Sequence, residues 1–337
     1  MESARDRIVA YRRSLPRAPR LERRALRVRG LELAVFTTSP VPAAAHAPPA
    51  PPLLCINGGM IYGHELLWPA LAPLAAGRQI VLYDQRGRGR SQVPPGARAA
   101  RIEHDAGDVR AIREALGVER WDVLGHSWGG GIAMLAVAAD REATRRLVLV
   151  DPVGLTSEWI PSLQRAALDR LRDAGASGPL ADARDALARF DDALLATDDP
   201  EVQSDWARAL YPAWFADRGA ATMYAPARVT SRTGSAVVAR LRRDGYDWRG
   251  AVCGLPTPAL IIHGDEDLLP VAMARETTDC LPNARLALVP DAGHMPFLEA
   301  PDRFFPLVES FLSDAAEPLS PPSPARAPLP PSSSSSA

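Results

Sequence analysis

Gly125-His126-Ser127-Trp128-Gly129 follows an apolar strand pattern at residues 121–124 and precedes a helical stretch of small residues. Glycines two positions before and after a serine favour a tight turn from strand to helix, because such a turn leaves no room for a Cβ at either position. The turn would present the Ser127 hydroxyl beside the backbone N–H groups that begin the helix. This arrangement suits a nucleophile and predicts an enzyme, whereas a serine that only caps a helix is the structural alternative.

Two later segments carry the ionisable groups that a nucleophilic serine needs. The strand pattern at residues 258–263 ends in Gly264-Asp265-Glu266-Asp267, and the one at residues 285–289 ends in Asp291-Ala292-Gly293-His294. A histidine accepts the serine proton, and an acid holds the imidazole in the correct tautomer. We therefore predict His294 as the base, with its acid in the 265–267 loop or at Asp151, which ends the strand pattern at 146–150.

A glycine turn upstream completes the predicted machinery. Residues 53–56 form a short apolar strand pattern that leads into Asn57-Gly58-Gly59-Met60. Backbone N–H groups in such a turn stabilise the negative charge of a tetrahedral intermediate. The N–H groups of Gly59 and Trp128 are the predicted oxyanion hole.

These motifs, spread over roughly residues 25–315, resemble the α/β-hydrolase superfamily and, within it, the proline-iminopeptidase-like serine hydrolases. Tyr83-Asp84-Gln85-Arg86-Gly87-Arg88-Gly89-Arg90-Ser91 is similar to the family's D-Q-R-G-x-G-x-S segment, and residues 125–129 are similar to its G-x-S-W-G. The family's H-G-G-P-G loop is here Asn57-Gly58-Gly59-Met60-Ile61, which keeps only the two glycines. The resemblance selects Asp267 as the acid, three residues after Gly264, and leaves Asp151 and Asp265 as alternatives.

Alternating strand and helix patterns predict the α/β-hydrolase fold, a mostly parallel sheet flanked by helices. The predicted division is a lead-in segment at 1–24, an α/β core at 25–154 and 251–317, a helical cap at 155–250, and a disordered Pro/Ser-rich tail at 318–337. The cap is rich in aromatic residues, which either line a substrate pocket or form the core of the cap. They are Trp159, Phe190, Trp206, Tyr211, Trp214, Phe215, Tyr224, Tyr246 and Trp248.

Composition excludes several kinds of chemistry. The formal net charge of −1 gives no reason to expect a nucleic-acid partner. All 39 basic residues are arginine, which excludes a Schiff-base lysine, a Walker-A loop and a Ser-Lys dyad. Neither a metal nor an organic cofactor is implied, and the expected partner is a small-molecule or short-peptide substrate.

The cysteines and the N-terminus bear on location. Cys55, Cys253 and Cys280 are far apart in sequence, so reduced thiols are expected. No apolar run suits a signal peptide or a membrane span, and a cytoplasmic protein is therefore predicted. The 83–91 segment is expected to be a structural loop held by hydrogen bonds. The other histidines are expected at the surface or behind the site: His46, His64, His104, His126 and His263.

The expected reaction is two-step acyl transfer by Ser127. Resemblance to proline iminopeptidases implies removal of an N-terminal residue, which requires an anionic group to receive the substrate ammonium. Ester or lactone hydrolysis is the alternative activity, and a non-hydrolytic enzyme or a ligand-binding protein is the alternative class. Acidic candidates for the ammonium site are Glu158, Asp191, Asp192, Asp205 and Asp217.

Overall fold

The central sheet consists of strands with long apolar runs. The computed structural model describes residues 6, 9–11, 13, 18–40, 50–96, 100–173, 175, 177–221 and 227–313. The strands within these residues are β1 Glu22–Val28, β2 Leu31–Thr37, β3 Leu53–Ile56, β4 Ile80–Tyr83, β5 Trp121–His126, β6 Thr144–Val150, β7 Ala259–Gly264 and β8 Ala284–Val289. They form one sheet in the order β1-β2-β4-β3-β5-β6-β7-β8.

The strand pairing agrees with the predicted fold. β1 and β2 form an antiparallel hairpin, β2 also pairs antiparallel with β4, and every later pairing is parallel. β3, β4 and β5 are buried along their whole length, as expected for parallel strands covered on both faces. The mostly parallel sheet with flanking helices is therefore confirmed.

Helices cover both faces of this sheet. Outside residues 155–250 they are α1 Ile102–Ala115, α2 Trp128–Ala139, α10 Val271–Cys280, α11 Pro296–Glu299 and α12 Pro301–Ser313. Alternate residues of a strand point to opposite faces. Leu54 and Ile56 accordingly belong to the core cluster that contains residues of α1 and α2. Leu53 and Cys55 belong to the cluster that contains residues of α12.

A run of helices separates β6 from β7, and we call residues 155–250 the helical insert. Its helices are α3 Ile160–Arg170, α4 Pro179–Leu187, α5 Asp192–Leu195, α6 Pro200–Leu210, α7 Arg218–Ala221, α8 Arg232–Asp244 and α9 Arg249–Val252, the last of which extends past the insert. A short 3₁₀ helix, Tyr211–Trp214, follows α6. The predicted tail at 318–337 lies outside the described residues, as does much of the predicted lead-in at 1–24. Among the described helices, none has the length and apolar character needed to cross a membrane.

The 83–91 loop is held by buried polar contacts beside the sheet. The Asp84 carboxylate accepts hydrogen bonds from the backbone N–H groups of His64 and Arg90, both at 2.8 Å. The Arg88 guanidinium donates to Asp105 at 3.0 and 3.1 Å. These contacts agree with the structural role expected from the sequence.

One sequence expectation is wrong. Cys253 and Cys280 form a disulfide with their Cα atoms 4.7 Å apart, whereas Cys55 is a buried free thiol. The two cysteines are 27 residues apart, but β7 and α10 run in turn away from and back to the same end of the sheet. The distance between the two cysteines along the chain therefore does not predict their distance in the structure. Disulfides are typical of oxidising compartments, so this pair is evidence against the predicted cytoplasmic location. No other observation tests that location.

Candidate active site

Ser127 lies at the junction of β5 and α2 with a φ of 54° and a ψ of −121°. A non-glycine residue in this region is strained by roughly 1–3 kcal/mol and persists only where its surroundings enforce it. Here the close packing on both sides of the turn, at Gly125 and Gly129, holds Ser127 in this conformation. A Cβ at Gly125 would lie 2.4 Å from the Gly129 carbonyl oxygen, and a Cβ at Gly129 would lie 2.1 Å from that of Ile56. The close packing thus explains why both flanking positions are glycine.

His294 and Asp267 are brought together from the loops that follow β8 and β7. The Nδ1 atom of His294 lies 2.9 and 3.1 Å from the two carboxylate oxygens of Asp267, whose side chain is fully buried. Burial by itself raises the pKa of Asp267, but the charge and hydrogen bond of His294 outweigh it, and the pKa lies below its usual value. An ionised carboxylate on Nδ1 leaves Nε2 as the nitrogen available for a neighbouring hydroxyl.

The two alternative acids occupy different places. Asp265 is exposed and accepts a hydrogen bond from the backbone N–H of Asp291 at 2.8 Å. Asp151 is fully buried next to Asp267, and its Oδ1 accepts the backbone N–H of Gly264 at 2.8 Å. Burial and the charge of Asp267 raise the pKa of Asp151 well above its usual value. Both effects favour the protonated form of Asp151 beside the carboxylate that contacts His294.

Two further histidines lie buried around this pair. The Nε2 of His126 donates to the carbonyl oxygen of His294 at 2.9 Å, and the Nε2 of His263 donates to that of Leu269 at 3.1 Å. Burial, followed by the charge of His294, lowers the pKa of His126 to about 3. Burial also lowers the pKa of His263. Both imidazoles are neutral supports behind the site, as the sequence predicts; His64 is also buried, and His46 lies outside the described residues.

The glycine turn after β3 lies against the serine. A Cβ at Gly58 would be 2.6 Å from the Ser127 Cβ, which shows how close the two backbones are. The Asn57 amide donates to the carbonyl oxygens of Gly58 and Tyr62 at 3.0 and 3.1 Å and so fixes the loop. Asn57 therefore supports the turn at the position where the resembling family has histidine. Gly59 and Trp128, the predicted oxyanion residues, line the same cavity as Ser127 and His294.

That cavity is small and apolar. It has a volume of about 100 Å³ and lies, partly open, between the loops that carry Ser127 and His294 and the helical insert. Its lining residues, among those the structure describes, include no aspartate, glutamate or arginine. The acidic candidates of the insert lie elsewhere, because Glu158, Asp191, Asp192 and Asp205 are exposed and Asp217 is half-buried outside the cavity wall. The aromatic residues of the insert in its wall are Trp159, Trp206, Tyr211 and Trp214.

Two residues near His294 were not singled out as site residues from the sequence. Trp214 stacks on the His294 ring, with ring centroids 4.2 Å apart. Glu299 is buried, and its carboxylate accepts the backbone N–H of Gly293 at 3.0 Å. The sequence marks Glu299 by its position, five residues after His294 and two before Pro301. Trp214 has no such signal, because nothing in the sequence distinguishes it from the other aromatics of the insert.

Two described clusters bring three potential metal-ligand atoms within 4.8 Å of one another. One is the group Asp151, Asp267 and His294, and the other is His64, Glu65 and Asp84. In the first, the Asp267 carboxylate already contacts the His294 Nδ1, and in the second, the His64 Nδ1 lies 2.9 Å from Asp84. Both clusters thus have internal partners for their histidines.

The chain is similar to known proteins with hydrolase and peptidase names. The chain is 28% identical over 242 residues to the 2-hydroxymuconate semialdehyde hydrolase of Pseudomonas putida, covering 71% of this chain and 78% of that protein. It is 27% identical over 276 residues to the proline iminopeptidase of Lactobacillus delbrueckii subsp. bulgaricus, covering 77% and 89%. The crystal structure of the proline iminopeptidase of Mycobacterium smegmatis superposes with a TM-score of 0.62 at 24% identity, over 86% of this chain and 97% of that one.

The family assignment rests on a match to a family model. A family model described as the alpha/beta hydrolase fold matches residues 51–301, which include Ser127, Asp267 and His294. This match covers most of the chain, and the parallel sheet and the turn at Ser127 agree with it. The chain belongs to the alpha/beta hydrolase fold family.

Proposed function

We propose that this protein is a serine hydrolase that cleaves a small ester or lactone through an acyl-enzyme. The observation that carries the proposal is that Ser127, on its strained turn, and His294, held through Nδ1 by Asp267, line one cavity. Strained backbone at a cavity wall is typical of a functional residue. The hydrolase names of the curated relatives support the same class of reaction.

The proposed reaction has two acyl-transfer steps. The His294 Nε2 accepts the Ser127 proton as the serine Oγ attacks the substrate carbonyl carbon, and the backbone N–H groups of Gly59 and Trp128 stabilise the oxyanion. Collapse of the intermediate breaks the bond to the leaving group, which takes the proton from His294. Water, deprotonated by His294, then attacks the acyl-enzyme and restores the free serine. The helical insert is proposed to act as a cap that excludes bulk water from these steps.

The cavity favours an uncharged acyl group. An aminopeptidase must receive a substrate ammonium, and an ammonium buried without a carboxylate partner is strongly destabilised. The described wall of the cavity has no such carboxylate. Residues 222–226, which the structure does not describe, contain no acidic residue either, since their sequence is Thr-Met-Tyr-Ala-Pro. The charge of the wall therefore favours an ester or lactone over the aminopeptidase activity that the sequence resemblance implies.

The cavity size favours a short acyl chain. The cavity at Ser127 has about 100 Å³, less than the roughly 150 Å³ of an apolar cavity that holds a benzene molecule, and this size favours a small acyl group. We expect p-nitrophenyl acetate and butyrate to be better substrates than the decanoate.

A parallel substrate panel tests the proposal. It contains p-nitrophenyl esters of two, four and ten carbons, proline and alanine naphthylamides, and the N-acetylated forms of the same amides, each with Ser127→Ala as the control. The proposal predicts turnover of the short esters, with no loss of amide turnover upon acetylation. Turnover of free amides that acetylation abolishes would instead establish an aminopeptidase.

A further inference from the structure

Trp214 of the helical insert contacts the predicted base through both its ring and its backbone. The indole and imidazole rings are stacked, with centroids 4.2 Å apart and planes inclined by 27°. The carbonyl oxygen of Trp214 accepts the backbone N–H of His294 at 2.8 Å. One residue of the insert therefore limits both the rotation of the imidazole and the position of the histidine loop.

Neighbouring contacts join the same segment to the histidine loop. The backbone N–H of Ala216 donates to Glu299 Oε2 at 2.8 Å, while Glu299 Oε1 accepts the N–H groups of Gly293 and Met295 at 3.0 and 3.3 Å. A Cβ at Gly293 would lie 2.4 Å from the Trp214 carbonyl oxygen, so the two backbones are in direct contact. The insert is thus fixed to the loop on both sides of His294.

An arginine connects this segment to the acid loop as well. Arg170 of α3 donates to the Ala213 carbonyl oxygen at 3.1 Å and also to the Glu266 carbonyl oxygen, next to Asp267. The residues before and after Trp214 are consequently anchored to the loops that carry the acid and the base. These contacts fix the position of Trp214 relative to His294 and Asp267.

We propose that Trp214 is a positioning residue for His294, whose indole face holds the imidazole against Asp267 and stabilises the imidazolium that forms as Ser127 attacks. The proposal rests on the serine-hydrolase function proposed above. The face of an indole attracts a cation because of its negative quadrupole, and tryptophan is the strongest of the aromatic residues in this respect. The stack is therefore stronger in the charged state than in the neutral one, and it favours proton transfer from the serine.

The other ionisable groups around His294 come from several elements. They are Asp267 and His263 with the neighbouring Asp151, His126 on β5 and Glu299 on α11. Arg170 on α3, Glu266 and Arg218 on α7 form a further charged group next to Asp267 and Glu299. A change confined to residue 214 leaves all of them in place. A shift of the pH profile caused by such a change can therefore be assigned to the indole.

The sharpest test replaces Trp214 by tryptophans that carry one to four ring fluorines. Fluorine withdraws density from the ring face with little change of shape. The readout is the second-order rate at which a fluorophosphonate labels Ser127 between pH 4 and 9. We expect the acid-side midpoint to move to lower pH with each fluorine, and the maximal rate to fall by about 2- to 30-fold over the series. A midpoint that stays fixed or rises along the series would overturn the proposal.

Ordinary substitutions provide a matched control. Trp214→Phe should keep the rate within about threefold, whereas Trp214→Leu should lower both the rate and the midpoint. Trp206 lines the same cavity but donates its indole N–H to Gln164, so Trp206→Leu should alter KM and leave the midpoint at its wild-type value. Equal acid-side midpoints for Trp214→Leu and Trp206→Leu would show that Trp214 only lines the cavity, which would contradict the proposal.

A second readout separates this proposal from the proposed function. If the wild-type protein is not labelled at all, the serine-hydrolase function fails. NMR titration of the ¹⁵N-labelled His294 imidazole still measures its protonation midpoint in the fluorinated series. A midpoint that falls with fluorination supports the Trp214 proposal without any activity, and an unchanged midpoint refutes it.

Discussion

The His294 imidazole directs Nδ1 at the Asp267 carboxylate, at 2.9 and 3.1 Å from its two oxygens, while the Asp151 carboxyl group lies next to that carboxylate. Of these two buried acids, only Asp267 contacts the His294 ring through a hydrogen bond. Their environments shift the two pKa values in opposite directions: burial and the charge of Asp267 raise the pKa of Asp151, whereas His294 lowers the pKa of Asp267. The pair accordingly allows a direct comparison of isosteric substitutions.

Asp267→Asn should lower kcat by about 10³- to 10⁴-fold, because an amide can hold the wrong imidazole tautomer. Asp151→Asn replaces a neutral carboxyl by a neutral amide of the same shape and should cost no more than about tenfold, the effect of one altered hydrogen bond. Steady-state kinetics on the best ester of the panel measures both. A larger loss in the Asp151 variant would make Asp151 the orienting acid.

Gly58→Ala should abolish most activity without unfolding the protein. The new Cβ would lie 2.6 Å from the Ser127 Cβ and 2.8 Å from the His126 carbonyl oxygen, so the turn or the nucleophile must move. A displacement of about 1 Å at a catalytic group costs roughly 100-fold. Gly250→Ala is the control, since a Cβ there meets nothing within 4 Å. Comparable activity of the two variants would show that the turn after β3 does not take part.

His126 should make the fold sensitive to acid. Its pKa in the folded protein is lowered to about 3 from the ordinary 6.5, so below pH 6.5 the unfolded chain binds a proton that the folded chain does not. The contribution of neutral His126 to the free energy of unfolding is fully present above pH 6.5 and is lost as the pH falls from 6.5 toward 3. Between pH 7.5 and 4.5 the loss is about 2 to 3 kcal/mol.

Urea unfolding at both pH values, for wild type and His126→Gln, measures this effect. The glutamine amide can donate to the His294 carbonyl oxygen as the imidazole does, but it does not titrate. The wild-type free energy of unfolding should fall more than that of the variant. Equal losses in the two proteins would show that His126 is not the acid-sensitive group.

The sequence predicted the features that depend on local rules. The turn at Ser127 follows from two glycines at fixed spacing, and β3 follows from a short apolar run between proline and a glycine turn. Asp267 was selected by its distance from Gly264 in a resembling family. Each of these predictions uses residues that are close together in the chain.

The remaining features depend on contacts between distant segments. Trp214 meets His294 across 80 residues, and Cys253 meets Cys280 only after a strand and a helix have folded between them. Neither pair has a periodicity or spacing that marks it. The uncharged cavity wall has the same origin, because the orientation of each acidic side chain of the insert is decided by how the helices pack.

Covalent labelling tests whether Ser127 is the nucleophile. The intact mass of the protein after reaction with a fluorophosphonate, followed by peptide mapping, gives both the number of adducts and their position. We predict one adduct per chain at Ser127, none in Ser127→Ala, and a loss of ester turnover in that variant of about 10⁵-fold or more. An adduct at another residue, or a Ser127→Ala variant that keeps most of its activity, would show that Ser127 is not the nucleophile.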